Sequence, residues 1–323
     1  MIKNIEPIEN YCIKTDKIKK PKNFISKIGI VGAGMVGRNI ARMISRNGLD
    51  VVLIELTKER IQMAFKGIEQ DLDNMIERWG MTSSEKRAIL SRISGTTECE
   101  GLKNCDFVIE SVKSKRRHEI IEDRKEIFKK IESNVSPETI IATNSTTQVI
   151  TELSNDLKHP ERCISLHFIS MEPDSKMVEI IRGYYTSDRT FEQTKRLAKL
   201  LQKQVISVKE YPGVISTRLF IPLINEACTM LMQNIGTMED IDKTLRIGFG
   251  SRLGPFEMAD KIGLDKVLRW AENLYEEFGD LKYKASPLIK KLVRSNQIGR
   301  RNNHGFYTYK DNYNKKTPNI LTK

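Results

Sequence analysis

A glycine-rich turn between two short apolar runs constrains the fold of this chain more than any other feature. Residues 28–31 form the first apolar run, and the turn Gly32-Ala33-Gly34-Met35-Val36-Gly37 follows at once. Apolar residues then recur at helical spacing as far as Asn47-Gly48, and a second apolar run, residues 51–54, ends on Glu55. This order of strand, turn, helix and strand predicts a dinucleotide-binding unit.

Each glycine of the turn has a physical reason to be there. The first allows the tight turn, the second lets a pyrophosphate approach the backbone, and the third lets helix and strand pack closely. The N–H groups at the start of the helix offer hydrogen bonds to phosphate. The turn residues predicted to bind the cofactor are Gly32, Gly34, Met35, Val36 and Gly37. Glu55 is placed to accept hydrogen bonds from the ribose hydroxyls, and its charge would repel a 2′-phosphate, so NAD is favoured over NADP.

Apolar strand candidates alternate with helices through the following residues, which predicts an α/β fold with a Rossmann-like, doubly wound parallel sheet. The candidate strands are 106–110, 139–143, 163–168, 177–181 and 205–208. From Pro212-Gly213 onward the pattern is helical, which predicts an all-α C-terminal domain. The predicted organisation is an N-terminal tail (1–25), an NAD-binding domain (26–210), a helical substrate and dimerisation domain (211–309) and a C-terminal tail (310–323).

Charge and composition favour a globular protein rather than a nucleic-acid-binding or membrane protein. Of the net charge of +12, more than half lies in the tails, where residues 1–27 hold seven lysines and three acidic residues and residues 310–323 hold four lysines and one aspartate. The aromatic residues do not form the interleaved pattern with these charges that base stacking would require. No window approaches the roughly 18 apolar residues of a membrane span, and the N-terminus has no apolar signal region. Five cysteines without metal-ligand spacing indicate reduced thiols in the cytoplasm and no metal site.

Two groups of polar residues outside the turn are candidates for catalysis. Asn144-Ser145-Thr146-Thr147 follows a predicted strand, where open α/β sheets bind ligands, although the same residue types also cap helices. His167 and Glu179 fall in two successive strands, which could place an imidazole beside a carboxylate as a general base. The alternative is a buried structural histidine. A third segment, residues 212–218, is interpreted as an interdomain turn with a helix cap.

Residues 26–309 resemble the L-3-hydroxyacyl-CoA dehydrogenases, including the bacterial 3-hydroxybutyryl-CoA dehydrogenases. The motifs that carry the resemblance are Gly32–Gly37, Val108-Ile109-Glu110, Asn144–Thr147, Leu166-His167-Phe168, Lys176–Glu179, Pro212-Gly213, Asn225-Glu226-Ala227, Gly254–Asp260, Gly299-Arg300-Arg301 and Gly305-Phe306-Tyr307. The resemblance implies an NAD domain, a dimerising helical domain and an acyl-CoA substrate bound between them. It also implies a cytoplasmic homodimer that acts in fatty acid metabolism.

The resemblance implies roles for individual residues as well. His167 would take the C3 hydroxyl proton and Glu179 would orient it, while Glu110 would lie near the nicotinamide with Asn144 beside it. Lys66 matches a region that reaches the CoA phosphates.

The chain departs from the family pattern at four places. Thr146 and Thr217 stand where the family has serine and asparagine, and either hydroxyl would hold the developing oxygen charge. His167–Met171 lacks the proline of the usual loop, and Lys113–Arg117 is a basic insertion that either meets an anionic substrate or forms a solvated face. These departures leave two alternatives open: a dehydrogenase of a related non-CoA 3-hydroxy acid, and a non-catalytic NAD-binding homologue.

Overall fold

The computed structural model describes residues 25–77, 79–112, 117–169, 175–310 and 315–319. The side chains of residues 117–120 and 315 are outside this description. Three predicted features therefore lie wholly or mainly outside the described residues: the N-terminal tail, the basic insertion Lys113–Arg117, and the end of the His167–Met171 loop.

An eight-stranded sheet forms the first domain and confirms the predicted fold class. Its strands are β1 (Lys27–Val31), β2 (Asp50–Ile54), β3 (Ile93–Thr96), β4 (Phe107–Glu110), β5 (Ile140–Thr143), β6 (Cys163–Phe168), β7 (Met177–Arg182) and β8 (Gln204–Lys209). The strand order is β3-β2-β1-β4-β5-β6-β7-β8. The first six of these run parallel, whereas β7 is antiparallel to β6 and β8 is parallel to β7.

Helices cover both faces of this sheet. Successive strand residues point to opposite sides, and because both sets are apolar, each face needs a covering layer. Val51 and Leu53 pack into one hydrophobic core and Val52 and Ile54 into another. The helices of this domain are α1 (Met35–Arg46), α2 (Lys58–Glu77), α3 (Ser83–Ser91), α4 (Arg117–Asn134), α5 (Ile150–Ser154) and α6 (Asp188–Leu200). Thr82 and Glu85 form a capping box at the start of α3.

The second domain has its own core, built mainly from helices. These are α7 (Val214–Met232), α8 (Met238–Lys243), α9 (Pro255–Ile262), α10 (Leu264–Phe278) and α11 (Pro287–Arg294). By length and composition alone α7 could cross a membrane. A core helix of a globular protein meets the same criterion, and Ile221, Ile224 and Cys228 of α7 are fully buried in the second core.

The C-terminal region adds two short strands to the predicted helical domain. Strand β9 (Tyr307–Lys310) pairs antiparallel with β10 (Lys315–Pro318), so part of the predicted tail completes a hairpin. The hairpin is anchored because the Asp260 carboxylate accepts hydrogen bonds from the N–H groups of Phe306 and Tyr307 and from the Tyr309 hydroxyl. Short strands with few apolar residues give no clear pattern in the sequence.

Candidate active site

The glycine turn between β1 and α1 has the shape that a dinucleotide requires. A Cβ at Gly32 would lie 2.9 Å from the Ser111 carbonyl oxygen at a φ of +94°, and a Cβ at Gly37 would overlap the Gly32 carbonyl. A Cβ at Gly34, in contrast, would have no heavy atom within 4 Å. Gly34 also begins α1 without a side-chain cap. The turn therefore leaves space and N–H donors on the side where a pyrophosphate would approach, so the residues present fit NAD.

Met35, Val36 and Glu55 line the same turn. Met35 is exposed and Val36 is partly buried in the first turn of α1. The Ala33 N–H donates to Glu55 Oε1 at 2.8 Å, and Arg60 lies 3.7 Å from Oε2. The carboxylate is thus held against the turn at the carboxyl end of β2, where its remaining lone pairs can accept from ribose hydroxyls.

Glu110 ends β4 beside Val31 and the glycine turn, and its position near the nicotinamide stays a prediction. Its carboxylate is fully buried, accepts hydrogen bonds from Val112 N–H and Thr143 Oγ1 at 2.7 Å each, and lies 3.4 Å from Arg124 Nη1. A charge buried this way needs its partners, because desolvation is costly without them. Glu110 therefore holds the loop after β4 in shape beside the glycine turn.

Asn144 ties the end of β5 to the strand that carries the candidate base. Its side-chain oxygen accepts a hydrogen bond from Phe168 N–H at 2.9 Å, and its own N–H donates to the Glu110 carbonyl at 2.9 Å. Asn144 thereby fixes the residue next to His167.

The structure brings His167 and Glu179 together as the sequence predicts. They are direct register partners across the antiparallel pair β6–β7, so both side chains point to the same face. His167 Nδ1 lies 2.7 Å from Glu179 Oε2, and the two residues are 2% and 1% exposed. With Nδ1 engaged, Nε2 is the ring nitrogen that can exchange a proton with a substrate.

Burial and charge set the protonation of this pair. Burial lowers the pKa of His167 below its usual value, the bond to Glu179 opposes this, and the charge of Lys266 adds to the lowering. Burial alone would raise the pKa of Glu179, but hydrogen bonds from His167 and Ser216 outweigh it and hold that pKa low. At neutral pH the pair is therefore a neutral imidazole beside a carboxylate, which is the state that accepts a proton.

Two threonines lie near the junction of the domains. The Thr146 carbonyl accepts from Gly213 N–H at 2.7 Å, which joins the loop after β5 to the start of α7. Thr217, in the first turns of α7, is 2% exposed, and among the described residues no group pairs with its hydroxyl. A buried hydroxyl without a hydrogen-bond partner lowers the stability of the fold, and a hydrogen bond to a substrate oxygen would offset that loss.

Sequence reasoning missed Ser216 and Lys266. The Ser216 N–H and hydroxyl both donate to the Glu179 carboxylate, at 2.9 and 2.7 Å. In the sequence Ser216 is merely a polar residue after a Pro-Gly turn, and its partner lies 37 residues away on another domain. Lys266 on α10 is partly buried, and desolvation lowers its pKa to about 8. Lys66 is exposed on α2, where its contact with CoA stays a prediction.

Comparisons with known proteins identify what the chain is similar to. Residues 27–211 match the family model for the NAD binding domain of 3-hydroxyacyl-CoA dehydrogenase, and residues 213–309 match that for its C-terminal domain. A 3-hydroxybutyryl-CoA dehydrogenase of Clostridioides difficile is 36% identical over 88% of this chain and 99% of its own length.

Solved structures of similar fold belong to the same kind of protein as these sequence relatives. The (S)-3-hydroxybutyryl-CoA dehydrogenase PaaH1 of Ralstonia eutropha superposes with a TM-score of 0.78 at 35% identity, covering 89% of this chain and 100% of that one. FadB2 of M. tuberculosis gives a TM-score of 0.83 at 29% identity, covering 88% of this chain and 99% of that one.

Proposed function

The chain belongs to the 3-hydroxyacyl-CoA dehydrogenase family, and we propose that it interconverts a short-chain L-3-hydroxyacyl-CoA and its 3-oxoacyl-CoA, with His167 as general acid and base. The activity depends on NAD, whose binding domain spans residues 27–211. The observation that carries the proposal is the buried His167–Glu179 pair, which lies at the same edge of the sheet as the glycine turn. In open α/β sheets this carboxyl edge is where ligands bind.

The reaction needs a base for the hydroxyl proton and an acceptor for the hydride on the same carbon. Bound NAD supplies the hydride acceptor. His167 Nε2 takes the proton as the C3 carbonyl forms, and Glu179 stabilises the imidazolium through Nδ1. In the reverse direction the imidazolium returns the proton to the oxygen. The hydroxyls of Thr146 and Thr217 donate to the oxygen as its charge develops.

The direct test is oxidation of NADH with acetoacetyl-CoA, longer 3-oxoacyl-CoA esters and free 3-oxo acids. We expect turnover with the short CoA esters and a loss of roughly 10²–10⁴-fold in His167→Ala. A matched control is His159→Ala, because His159 forms an exposed pair with Glu161 and should keep wild-type turnover.

Two outcomes of that assay would select the alternatives. Turnover of free acids in preference to CoA esters would assign the chain to a non-CoA 3-hydroxy acid. Equal residual turnover in wild type and His167→Ala would make it a non-catalytic NAD-binding homologue. Activity with NADPH equal to that with NADH would contradict the role of Glu55.

The proposal extends to the assembly and the setting of the enzyme. Ile215, Leu219 and Leu223 recur every four residues on α7 and are 45%, 70% and 36% exposed. An apolar stripe of this kind is typical of an interface, and it supports a homodimer formed through the helical domain. We place this dimer in the cytoplasm and in fatty acid metabolism, without a nucleic-acid or membrane partner.

A further inference from the structure

Ser216 makes two hydrogen bonds to the carboxylate that orients the candidate base. Its N–H donates to Glu179 Oε1 at 2.9 Å, and its hydroxyl donates to Oε2 at 2.7 Å. His167 Nδ1 contacts the same Oε2 at 2.7 Å. The serine hydroxyl and the imidazole therefore share one oxygen, so a change in one bond alters the strength of the other.

These bonds also join the two domains. Glu179 lies on β7 of the sheet, whereas Ser216 is the third residue of α7. The N-cap residue of α7 is Gly213, which has no side chain that could accept a hydrogen bond from the helix. The first turn of α7 contains no acidic residue. Glu179 thus takes the place of a cap: its negative charge satisfies an N–H group at the positive end of the helix dipole.

The backbone at the start of α7 has an unusual conformation that determines where the helix starts. Gly213 has a φ of +90°, and Val214, a β-branched residue, has a φ of +46°. Such a conformation is strained for valine and persists only where the surroundings determine it. The bond from Gly213 N–H to the Thr146 carbonyl is one such constraint. The helix start is therefore fixed with the Ser216 N–H towards Glu179.

We propose that Ser216 is a positioning residue that sets the proton affinity of His167 through the shared oxygen of Glu179. The proposal rests on the proposed function of the His167–Glu179 pair. A hydroxyl donor on Oε2 satisfies part of the carboxylate charge, so less of it remains to stabilise the imidazolium. Ser216 thereby keeps His167 a weaker base than Glu179 alone would make it.

The other charged group that faces His167 comes from the helical domain. Lys266 on α10 acts on His167 by its charge and lowers the pKa of the imidazole in the same direction. Its ammonium lies 4.8 Å from the centre of the Trp270 ring. Because substitutions at Ser216 leave Lys266 in place, its contribution is the same in every variant compared.

The test compares variants that differ only in the hydroxyl. Ser216→Thr keeps it and adds a methyl group, and Ser216→Val has the shape of that threonine with a methyl group in place of the hydroxyl. Ser216→Ala removes it at nearly constant size. The backbone N–H bond to Oε1 remains in all three, so Glu179 stays in contact with α7.

We expect the pKa of His167 to rise by roughly 0.5–1 unit in Ser216→Val and Ser216→Ala and to stay at the wild-type value in Ser216→Thr. Two measurements read it: titration of the imidazole by NMR, and the pH profile of kcat/KM for hydroxyacyl-CoA oxidation, whose rising limb should move upward by the same amount. Identical titrations in wild type and all three variants would overturn the proposal.

A control separates this effect from a general loss of interdomain contact. Asn273 on α10 donates to Thr147 Oγ1 at 3.0 Å, which is also a bond between the domains but does not touch Glu179. Asn273→Ala should leave the His167 titration unchanged, and a shift there equal to that of Ser216→Ala would contradict the specific role. Since the NMR titration needs no turnover, a wild type without activity would refute the proposed function alone.

Discussion

At the scale of single residues, the two histidine–glutamate pairs found among the described residues differ in environment rather than in chemistry. His159 lies 3.2 Å from Glu161 with side chains 47% and 53% exposed, whereas His167 lies 2.7 Å from Glu179 with both almost fully buried. In an exposed pair, water screens the carboxylate, so the interaction between the two side chains is weak. In a buried pair the interaction is stronger, and it controls the proton affinity of the imidazole. Burial is thus what distinguishes His167 as the proposed base.

The sequence could predict the His167–Glu179 pair but not its surroundings. Both residues fall in apolar strands that follow one another, so adjacent pairing was the simplest expectation. Ser216 could not be assigned from the sequence, because its role depends on how α7 meets the sheet. Position along the chain carries no information on that contact.

The same substitution at two glycines of the cofactor turn should have opposite consequences. Gly34→Ser places a good capping residue where a Cβ meets no atom, so the free energy of unfolding should hold or rise slightly. The added side chain occupies the approach of the pyrophosphate, and we expect NAD affinity to fall about tenfold, which corresponds to about 1.4 kcal/mol.

Gly37→Ser is the matched comparison. Its Cβ would overlap the Gly32 carbonyl, so we expect a loss of about 1–3 kcal/mol in the free energy of unfolding. Urea denaturation and titration with NADH measure the two quantities. Equal NAD affinity in wild type and Gly34→Ser would contradict the placement of the pyrophosphate at this turn.

At the scale of elements, long strands and helices with clear periodicity were predictable and short polar strands were not. Strands β1, β2 and β4 to β8 agree closely with the apolar runs of the sequence. The strand β3 was missed because Ile93-Ser94-Gly95-Thr96 has only one large apolar residue, and it lies at the edge of the sheet. The hairpin β9–β10 was missed because its stability comes from contacts with α9, not from its own pattern.

The anchoring of this hairpin predicts a specific dependence of stability on pH. Burial raises the pKa of Asp260 to about 7, although its hydrogen bonds with Phe306, Tyr307 and Tyr309 oppose the shift. The folded chain therefore holds this proton more tightly than the unfolded chain does. Its contribution to stability is complete below the unfolded pKa, near 4, and is lost as the pH rises through about 7.

Asp260→Asn removes this titration. The free energy of unfolding of wild type relative to the variant should fall by about 2 kcal/mol between pH 5 and pH 8. Urea denaturation at both pH values measures it. The nearby Asp242, whose pKa is raised to about 6, is present in both proteins and does not bias the comparison. The exposed Asp123→Asn is the control, and a difference independent of pH in Asp260→Asn would refute the prediction.

At the scale of the whole molecule, the second domain exposes an apolar stripe that supports the proposed homodimer. The stripe Ile215, Leu219 and Leu223 lies on α7, whose opposite side is buried in the second core. The same helix presents Ser216 to Glu179. One helix thus carries the proposed interface on one face and contacts Glu179 of the proposed catalytic pair on another, so both proposals depend on the position of α7.

Introducing a charge into this stripe should disrupt the dimer. Leu219→Glu would bury a carboxylate against its symmetry mate, and we expect the mass measured by light scattering to fall from that of a dimer to that of a 37.2 kDa monomer. Leu200→Glu, at an exposed leucine of the first domain, is the control and should remain dimeric. A wild type that is already monomeric would contradict the homodimer.

The pairing of β6 with β7 has a consequence for how this enzyme can diverge. Because His167 and Glu179 are opposite each other in the ladder, their separation is fixed by strand register and not by the segment that connects the strands. Insertions, deletions and substitutions in that connection can therefore accumulate without parting the two side chains.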